Sequence, residues 1–264
     1  MNKATALYIP HGGGPLPLLN EGAYVAMNRF LREFPQSITK PDAVIVISAH
    51  WEEEVVSVIA GPNPELLFDY YGFPAESYEY RYPAPGQPQL AQKIQALLGG
   101  SGIECNLNFD RGFDHGLFVP LMLMYPDGDI PCVQLSLSSS LDAALHINIG
   151  KALAGLKGEN ILILGSGFSF HNMRALMSKT DDSVDEKNQA FESWLAQTCS
   201  DTDLSEDERE QSLANWLEAP HARYCHPREE HLLPLQVCYG FAQSPAQTLF
   251  QQPVARFIAS AYRW

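Results

Sequence analysis

Short apolar runs rich in β-branched residues alternate along this chain with longer segments whose apolar residues recur at helical spacing. The short runs predict strands at residues 6–9, 43–48, 55–60, 132–137 and 161–164. Alternation of this kind is typical of α/β proteins, in which helices cover the sheet. The pattern therefore predicts an α/β fold with a central, mostly parallel sheet flanked by helices.

Five segments carry helical signals. Residues 21–34 have helical apolar spacing, residues 85–100 begin with prolines and end on two glycines, and residues 138–156 begin with hydroxyl caps. Residues 184–200 and 204–219 hold much of the acidic charge and predict surface helices, in which such charge usually forms a solvated face.

Residues 61–86 are rich in proline, glycine and aromatic residues and have no clear period, which predicts a long structured loop beside the core. Its aromatic side chains either pack within the loop or stack on a substrate ring and cover a cleft; the candidates are Tyr70, Tyr71, Phe73 and Tyr82. A guanidinium group matches a substrate carboxylate, and the candidates for that role are Arg81, Arg111 and Arg174.

The net charge of the chain indicates which classes of binding partner to expect. The chain has 264 residues, with 17 lysines and arginines against 31 acidic residues, and its formal net charge is −14. Nucleic acids and anionic membranes attract concentrated positive charge, so we expect neither as a partner. Small molecules are the expected ligands.

The five cysteines are scattered and form no CxxC pair, which indicates neither a disulfide framework nor a thiolate zinc site. The first residues lack the apolar core of a signal peptide, and no apolar run approaches the roughly 20 residues of a membrane span. We therefore expect reduced thiols and a cytoplasmic protein.

Three predicted strands lead to a histidine. "ALYIPHGGGP" leads to His11, "DAVIVISAHW" to His50 and "ENILILGSGFSFHNM" to His171. Because ligands of open α/β sheets bind at the carboxyl ends of the strands, these side chains are predicted to converge. Neutral imidazole is a common ligand of both Fe(II) and zinc, and the residue types alone do not choose between the two metals.

The other five histidines differ in how strongly the sequence favours a functional role over a structural one. His115, between an acid and a glycine in "GFDHG", either sits in a turn that the glycines shape or takes part in acid/base chemistry. His231 follows two acids at the start of an apolar helix, where it can project into a crevice. His146 lies within a predicted helix and favours a structural or exposed role, while His221 and His226 favour no specific role.

Seven segments occur in a characteristic order: "PHGGGP", "VISAHW", "YYGFPAESYEYRYPAPG", "GFDHG", "PCVQLSLSSS", "GSGFSFHN" and "REEHLLPL". Together they resemble the class III extradiol ring-cleavage dioxygenases, in the branch similar to DOPA 4,5-dioxygenase and related to the protocatechuate 4,5-dioxygenase beta subunit. The resemblance covers nearly the whole chain and implies one catalytic domain over residues 1–264, with a non-haem metal site at the sheet edge. It also implies a small aromatic diol and O2 as substrates.

By position, the resemblance implies that His11, His50 and His231 bind the metal. His171 matches a residue that is either a further metal ligand or an acid/base group, and His115 matches one that assists proton transfer. Glu230 is an alternative to His231, because the protocatechuate enzymes have a glutamate as third ligand. The implied metal is Fe(II) in the active enzyme, with Zn(II) expected in purified samples because zinc outcompetes Fe(II) at nitrogen sites.

Other functions fit the same residues. A zinc-dependent hydrolase would use the cluster to lower the pKa of a bound water, and a binding protein would keep the fold without turnover. The identity of the catechol stays open, as does the choice between a monomer and a homo-oligomer.

Overall fold

An eight-stranded sheet forms the centre of the computed structural model, which describes residues 4–19, 22–178 and 185–264. The strands, in chain order, are β1 (Thr5–Pro10), β2 (Ala43–Glu53), β3 (Val56–Ile59), β4 (Cys105–Asn108), β5 (Cys132–Ser138), β6 (Ile161–Gly167), β7 (Gln247–Val254) and β8 (Phe257–Arg263). Their order across the sheet is β4-β3-β5-β2-β6-β1-β8-β7.

The four central strands β5, β2, β6 and β1 are parallel to one another. They are apolar along most of their length because helices cover them on both faces. Antiparallel pairs occur towards the edges, between β3 and β5, β1 and β8, and β7 and β8. The predicted α/β class with a mostly parallel central sheet is confirmed.

Helices flank the sheet. They are α1 (Leu16–Leu19), α2 (Val25–Glu33), α3 (Pro88–Gly100), α4 (His115–Met124), α5 (Ala143–Leu153), α6 (Met173–Met177), α7 (Glu186–Ser200), α8 (Glu206–Ala214), α9 (Ala222–Cys225) and α10 (Leu233–Ala242). Short 3-10 turns lie at Gly22–Tyr24, Phe34–Ser37, Ala75–Tyr78, Ala154–Leu156 and Trp216–Glu218. No described helix combines the length and the apolar character that crossing a membrane requires.

Alternation along β6 places α10 and α4 on opposite faces of the sheet. A Cβ atom added at Gly165 would lie 2.6 Å from the Pro234 carbonyl oxygen in α10. The Ser166 hydroxyl, one residue later, donates to the carbonyl oxygen of Gly116 in α4. Successive residues of a strand face opposite ways, so small residues here admit helices closely on both sides.

Glycines also bring α5 against α10. A Cβ atom at Gly150 would lie 2.2 Å from the Val237 carbonyl oxygen, and one at Gly240 would lie 2.0 Å from that of Ile147. Each glycine therefore allows a backbone contact that any side chain would prevent. This packing holds α10, and with it the segment just before α10, close to the sheet.

The predicted elements and the observed ones differ mainly at their ends. β2 continues to Glu53, so His50 lies within a strand rather than after it, and β6 includes both glycines of "GSG". Strands β4, β7 and β8 were not predicted, because the edge strands β4 and β7 contain many polar residues and β8 lacks a clear apolar alternation. Residues 21 and 184, at the starts of two predicted helices, lie outside the described residues.

Candidate metal centre

Five of the eight histidines meet at the carboxyl ends of the parallel strands. His11 follows β1, His50 lies in the last part of β2, His171 follows β6, His115 is the first residue of α4, and His231 precedes α10. They come from positions up to 220 residues apart in the chain. The predicted convergence of His11, His50 and His171 is therefore present in the fold.

His11, His50 and His231 form the centre of the cluster. Each offers one ring nitrogen, and the three nitrogens lie within 4.8 Å of one another. The Nε2 atoms of His11 and His50 are 2.9 Å apart. The ring of His231 lies 5.3 Å from that of His11 and 5.0 Å from that of His50, measured between centroids. This group has the spacing of ligands that share one ion.

His171 and His115 stand on either side of this group. The His171 ring stacks on His231 with centroids 3.4 Å apart, and its Nδ1 lies 3.1 Å from Glu230 Oε1. The His115 ring lies 3.9 Å from that of His50, between centroids, and its Nδ1 is 2.7 Å from Asp69 Oδ1. Both rings are therefore in contact with the central group while a carboxylate holds one of their nitrogens.

The outer nitrogens of two central histidines are held by hydrogen bonds. Ser166 Oγ gives its only proton to Gly116, so at 3.0 Å it accepts the Nδ1 proton of His11. His231 Nδ1 donates to Glu230 Oε1 at 2.9 Å. In a neutral imidazole the second nitrogen then has a free lone pair. The arrangement leaves Nε2 of His11 and Nε2 of His231 available to a metal.

Burial keeps the central rings neutral. It lowers the pKa of His11 and of His50 well below the usual range, and the neighbouring histidines add to this effect. Burial likewise lowers the pKa of His231 to about 3, against the opposing influence of Glu230. Three neutral nitrogen donors with an adjacent carboxylate are a suitable set for a divalent transition metal, so the residues present fit the metal ion that the family resemblance implies.

Glu230 lies behind the histidines as a hydrogen-bond acceptor. Burial raises its pKa, but the hydrogen bonds from His171 and His231 outweigh burial and lower the pKa well below its usual range. Its Oε1 atom serves both imidazole rings, and Oε2 lies 3.3 Å from Arg228 Nη1. Glu230 also forms, with His171 and His231, a second group of possible metal ligands.

Glycines permit the close packing around the centre. Gly12, directly after His11, has a φ of +84°, which L-residues with a side chain rarely adopt. A Cβ atom at Gly116 would lie 2.3 Å from Ser48 Oγ and 3.3 Å from the His50 ring. One at Gly167 would lie 2.1 Å from the His231 carbonyl oxygen. At these three positions a side chain would clash or strain the backbone, which accounts for one glycine in each of "HGGG", "DHG" and "GSG".

A cavity of about 400 Å³ opens beside the cluster, lined by Ala49, His50, Glu52, His171, Arg228, Glu230 and His231. Arg228 binds Glu52 with both ends of its guanidinium group, and the Nη2–Oε2 distance is 2.6 Å. Sequence reasoning missed Arg228 and proposed other arginines. Of these, Arg111 lies over the Trp51 ring, while Arg81 and Arg174 are exposed.

Loop 61–86 forms one wall near the centre. Tyr70 is buried, with its ring 5.8 Å from that of His115 and 5.5 Å from that of Phe73, between centroids. Tyr82 is buried too and donates to the Tyr125 carbonyl oxygen at 3.1 Å, whereas Tyr71 is 92% exposed. Tyr70 therefore packs between the loop and His115, and Tyr82 is held by a residue outside the loop.

The other three histidines lie outside the cluster. His146 is fully buried in α5, where Nδ1 is 2.6 Å from the Asp142 carbonyl oxygen and Nε2 accepts from the Ser138 amide. His226 is also buried, with Nε2 2.7 Å from the Ser169 carbonyl oxygen, and His221 is exposed. The structural interpretation of His146 agrees with these contacts.

We expect Ser166→Ala to weaken metal binding about 10- to 100-fold, because it removes the acceptor that holds the outer nitrogen of His11. Competition between the protein and a chromophoric chelator for Zn(II) measures the affinity. Ser193→Ala, which removes an exposed hydroxyl on α7, is the matched control. Equal affinity in the two variants would show that Ser166 does not support His11.

Comparisons of this chain with protein families, with known proteins and with solved structures find related proteins. Residues 17–256 match the family described as the catalytic LigB subunit of aromatic ring-opening dioxygenase. The 4,5-DOPA dioxygenase extradiol of Beta vulgaris is 40% identical over 244 residues, covering 91% of this chain and 88% of that protein. Dioxygenase tasH of Hapsidospora irregularis is 38% identical over 259 residues, covering 92% and 79%. The crystal structure of an uncharacterized Escherichia coli K12 protein matches with a TM-score of 0.79 and 31% identity, covering 98% of each chain.

Proposed function

Because this chain belongs to the LigB family of aromatic ring-opening dioxygenases and is an extradiol ring-cleaving enzyme, we propose that it opens a catechol-type ring at its histidine centre. We propose His11, His50 and His231 as the ligands of one non-haem Fe(II). The single observation that carries this assignment is the group of three ring nitrogens within 4.8 Å of one another. The relatives named for DOPA support a substrate that carries two adjacent ring hydroxyls.

Iron is proposed over zinc because the chemistry involves O2. Zn²⁺ has no redox chemistry, whereas Fe(II) held by these residues would supply the redox chemistry that a reaction between a diol and O2 needs. Three protein ligands leave such positions open. Zinc would bind the same nitrogens and yield a loaded but inactive protein.

The chain itself supplies binding, orientation and proton transfer. A catechol that binds through its oxygens must lose hydroxyl protons, and the ring nitrogens closest to the centre are those of His115 and His171. Each has Nδ1 engaged by a carboxylate, Asp69 or Glu230, which leaves Nε2 to exchange a proton. We propose His115 and His171 as the acid/base residues, a role that typically contributes 10²- to 10⁴-fold in rate.

Anaerobic reconstitution tests this function. Metal-free protein is loaded with Fe(II), mixed with a panel of catechols and exposed to O2, while the visible spectrum and O2 uptake are recorded. We expect a yellow ring-opened product with one O2 consumed per product. The same protein loaded with Zn(II) is the control and should form no product.

Other outcomes of this assay would decide against the proposal. Absence of product from the Fe(II)-loaded protein across the panel would contradict the ring-opening assignment. Hydrolysis of ester or amide substrates by the Zn(II)-loaded protein under strict anaerobiosis would favour the zinc hydrolase instead.

A further inference from the structure

Asp69 reaches the histidine centre from loop 61–86. Its Oδ1 accepts two hydrogen bonds from His115, one from the backbone amide at 3.1 Å and one from Nδ1 at 2.7 Å. Its Oδ2 lies 4.0 Å from His50 Nδ1. Asp69 and His115 are 46 residues apart, so this double contact depends on how the loop is placed.

The loop around Asp69 is built to keep that position. The Leu67 amide donates to the Phe113 carbonyl oxygen at 2.8 Å, and the Phe113 amide donates to that of Glu65 at 2.8 Å. A Cβ atom at Gly112 would lie 2.5 Å from the Glu65 carbonyl oxygen, so a glycine is needed where the two segments meet. These contacts attach the loop to the residues directly before His115.

Aromatic packing fixes the other side of Asp69. The rings of Phe68 and Tyr70 both pack against Phe118, one turn into α4, with centroids 5.7 Å and 6.3 Å away. The Tyr70 hydroxyl donates to the Ser77 carbonyl oxygen. Neighbours on both sides of Asp69 are therefore anchored, and its side chain is 18% exposed.

An ionised carboxylate only accepts hydrogen bonds, so its contact with His115 determines which ring nitrogen carries the proton. With a carboxylate at Nδ1, a neutral His115 has its proton on Nδ1 and its lone pair on Nε2. The backbone hydrogen bond adds a second constraint on the ring's orientation.

We propose that Asp69 is a positioning residue for the ring-opening reaction, holding His115 in the orientation and the Nδ1–H tautomer in which Nε2 accepts a substrate proton. The inference rests on the proposed function for its catalytic meaning, while the tautomer is a property of the protein alone. It assigns to the long aromatic loop a specific part in the chemistry, beyond covering the cleft.

Nitrogen NMR tests the tautomer without turnover. In Zn(II)-loaded, ¹⁵N-labelled protein we expect the two ring nitrogens of His115 to show the Nδ1–H pattern, with Nε2 unprotonated. Asp69→Ala should lose that pattern, and Asp69→Asn, which keeps an acceptor oxygen, should retain part of it. A His115 tautomer that is the same in wild type and Asp69→Ala would overturn the proposal.

Kinetics of the Fe(II)-loaded protein test the catalytic role. Asp69→Ala should lower kcat about 10- to 100-fold with KM within about threefold of wild type, since it acts through a ring that donates no ligand atom. In a His115→Ala background the same change should cost nothing further, because the residue it positions is gone. Glu76→Gln, which removes an exposed charge from the same loop, is the matched control.

Three measurements separate the possible failures. A loss of Zn(II) affinity in Asp69→Ala as large as that in His50→Ala would make Asp69 a metal ligand and overturn the proposal. Additive losses in the double variant would do the same, as would a lower thermal midpoint that accounts for the lost activity of both Asp69 variants. A wild-type protein without ring-opening activity would contradict the proposed function, while the NMR result would still decide whether Asp69 positions His115.

Discussion

Replacing His50 by alanine is expected to abolish stoichiometric metal binding and to lower turnover of the Fe(II)-loaded protein by at least about 1000-fold, because a metal contributes several kcal/mol to transition-state stabilisation. The large effect is expected because His50 lies at the middle of the histidine cluster. Its Nε2 is 2.9 Å from that of His11, and its ring touches both His115 and His231.

Metal content per chain, measured after Fe(II) or Zn(II) loading and desalting, is the direct readout for His50→Ala. Turnover with the best catechol of the panel is the second. His221→Ala removes an exposed histidine outside the cluster and should leave both values unchanged. A His50→Ala protein that keeps one metal per chain and full turnover would refute the assigned centre.

Titration of the buried histidines His146 and His226 should lower the unfolding free energy of the metal-free protein by roughly 6 kcal/mol between pH 7 and pH 4. Buried Glu192 acts in the opposite direction, because burial raises its pKa to about 7, and it offsets about half of this loss. Burial lowers the pKa of His146 to about 4 and that of His226 to about 4, whereas an unfolded histidine titrates near 6.5. Each difference corresponds to about 3 kcal/mol.

The unfolding free energy falls with pH because the unfolded chain binds more protons on these histidines than the folded protein does. Between the folded and unfolded pKa values, the unfolded chain holds protons on these two histidines and the folded protein does not, so acid favours unfolding. Their contribution is fully present above about pH 6.5 and is lost as the pH falls towards 4. The lowered pKa values of the central histidines act in the same direction in metal-free protein.

Urea unfolding of metal-free protein at several pH values between 7 and 4 measures this dependence. His146→Gln should lower stability at pH 7 and make the pH dependence shallower, because one titrating group is removed. His221→Gln exchanges an exposed histidine in the same way and should keep the wild-type slope. The same slope in wild type and His146→Gln would show that His146 is not held neutral by burial.

Local patterns in the sequence determined the architecture of this protein. The runs at 43–48 and 161–164 are apolar and rich in β-branched residues, and the run at 132–137 is mostly apolar, because strands buried on both faces need such residues. Each run became the core of an observed strand. A histidine that follows a strand of a parallel sheet lies near the carboxyl edge of that sheet, whatever the packing of the helices. His11, His50 and His171 could therefore be expected to meet before any contact was known.

Only the tertiary structure decided which groups hold the histidines and in what arrangement. Ser166 contacts a histidine 155 residues away, Asp69 one 46 residues away, and Arg228 meets Glu52 across 176 residues. No local pattern marks such residues, since a serine, an aspartate or an arginine satisfies the same helix, strand or loop preferences with or without that partner. The sequence thus determined the parallel centre of the sheet and the histidines at its edge. Long-range packing decided the outer strands, the hydrogen-bond partners of the histidines and the shape of the cavity, because these depend on contacts that exist only once the chain has folded.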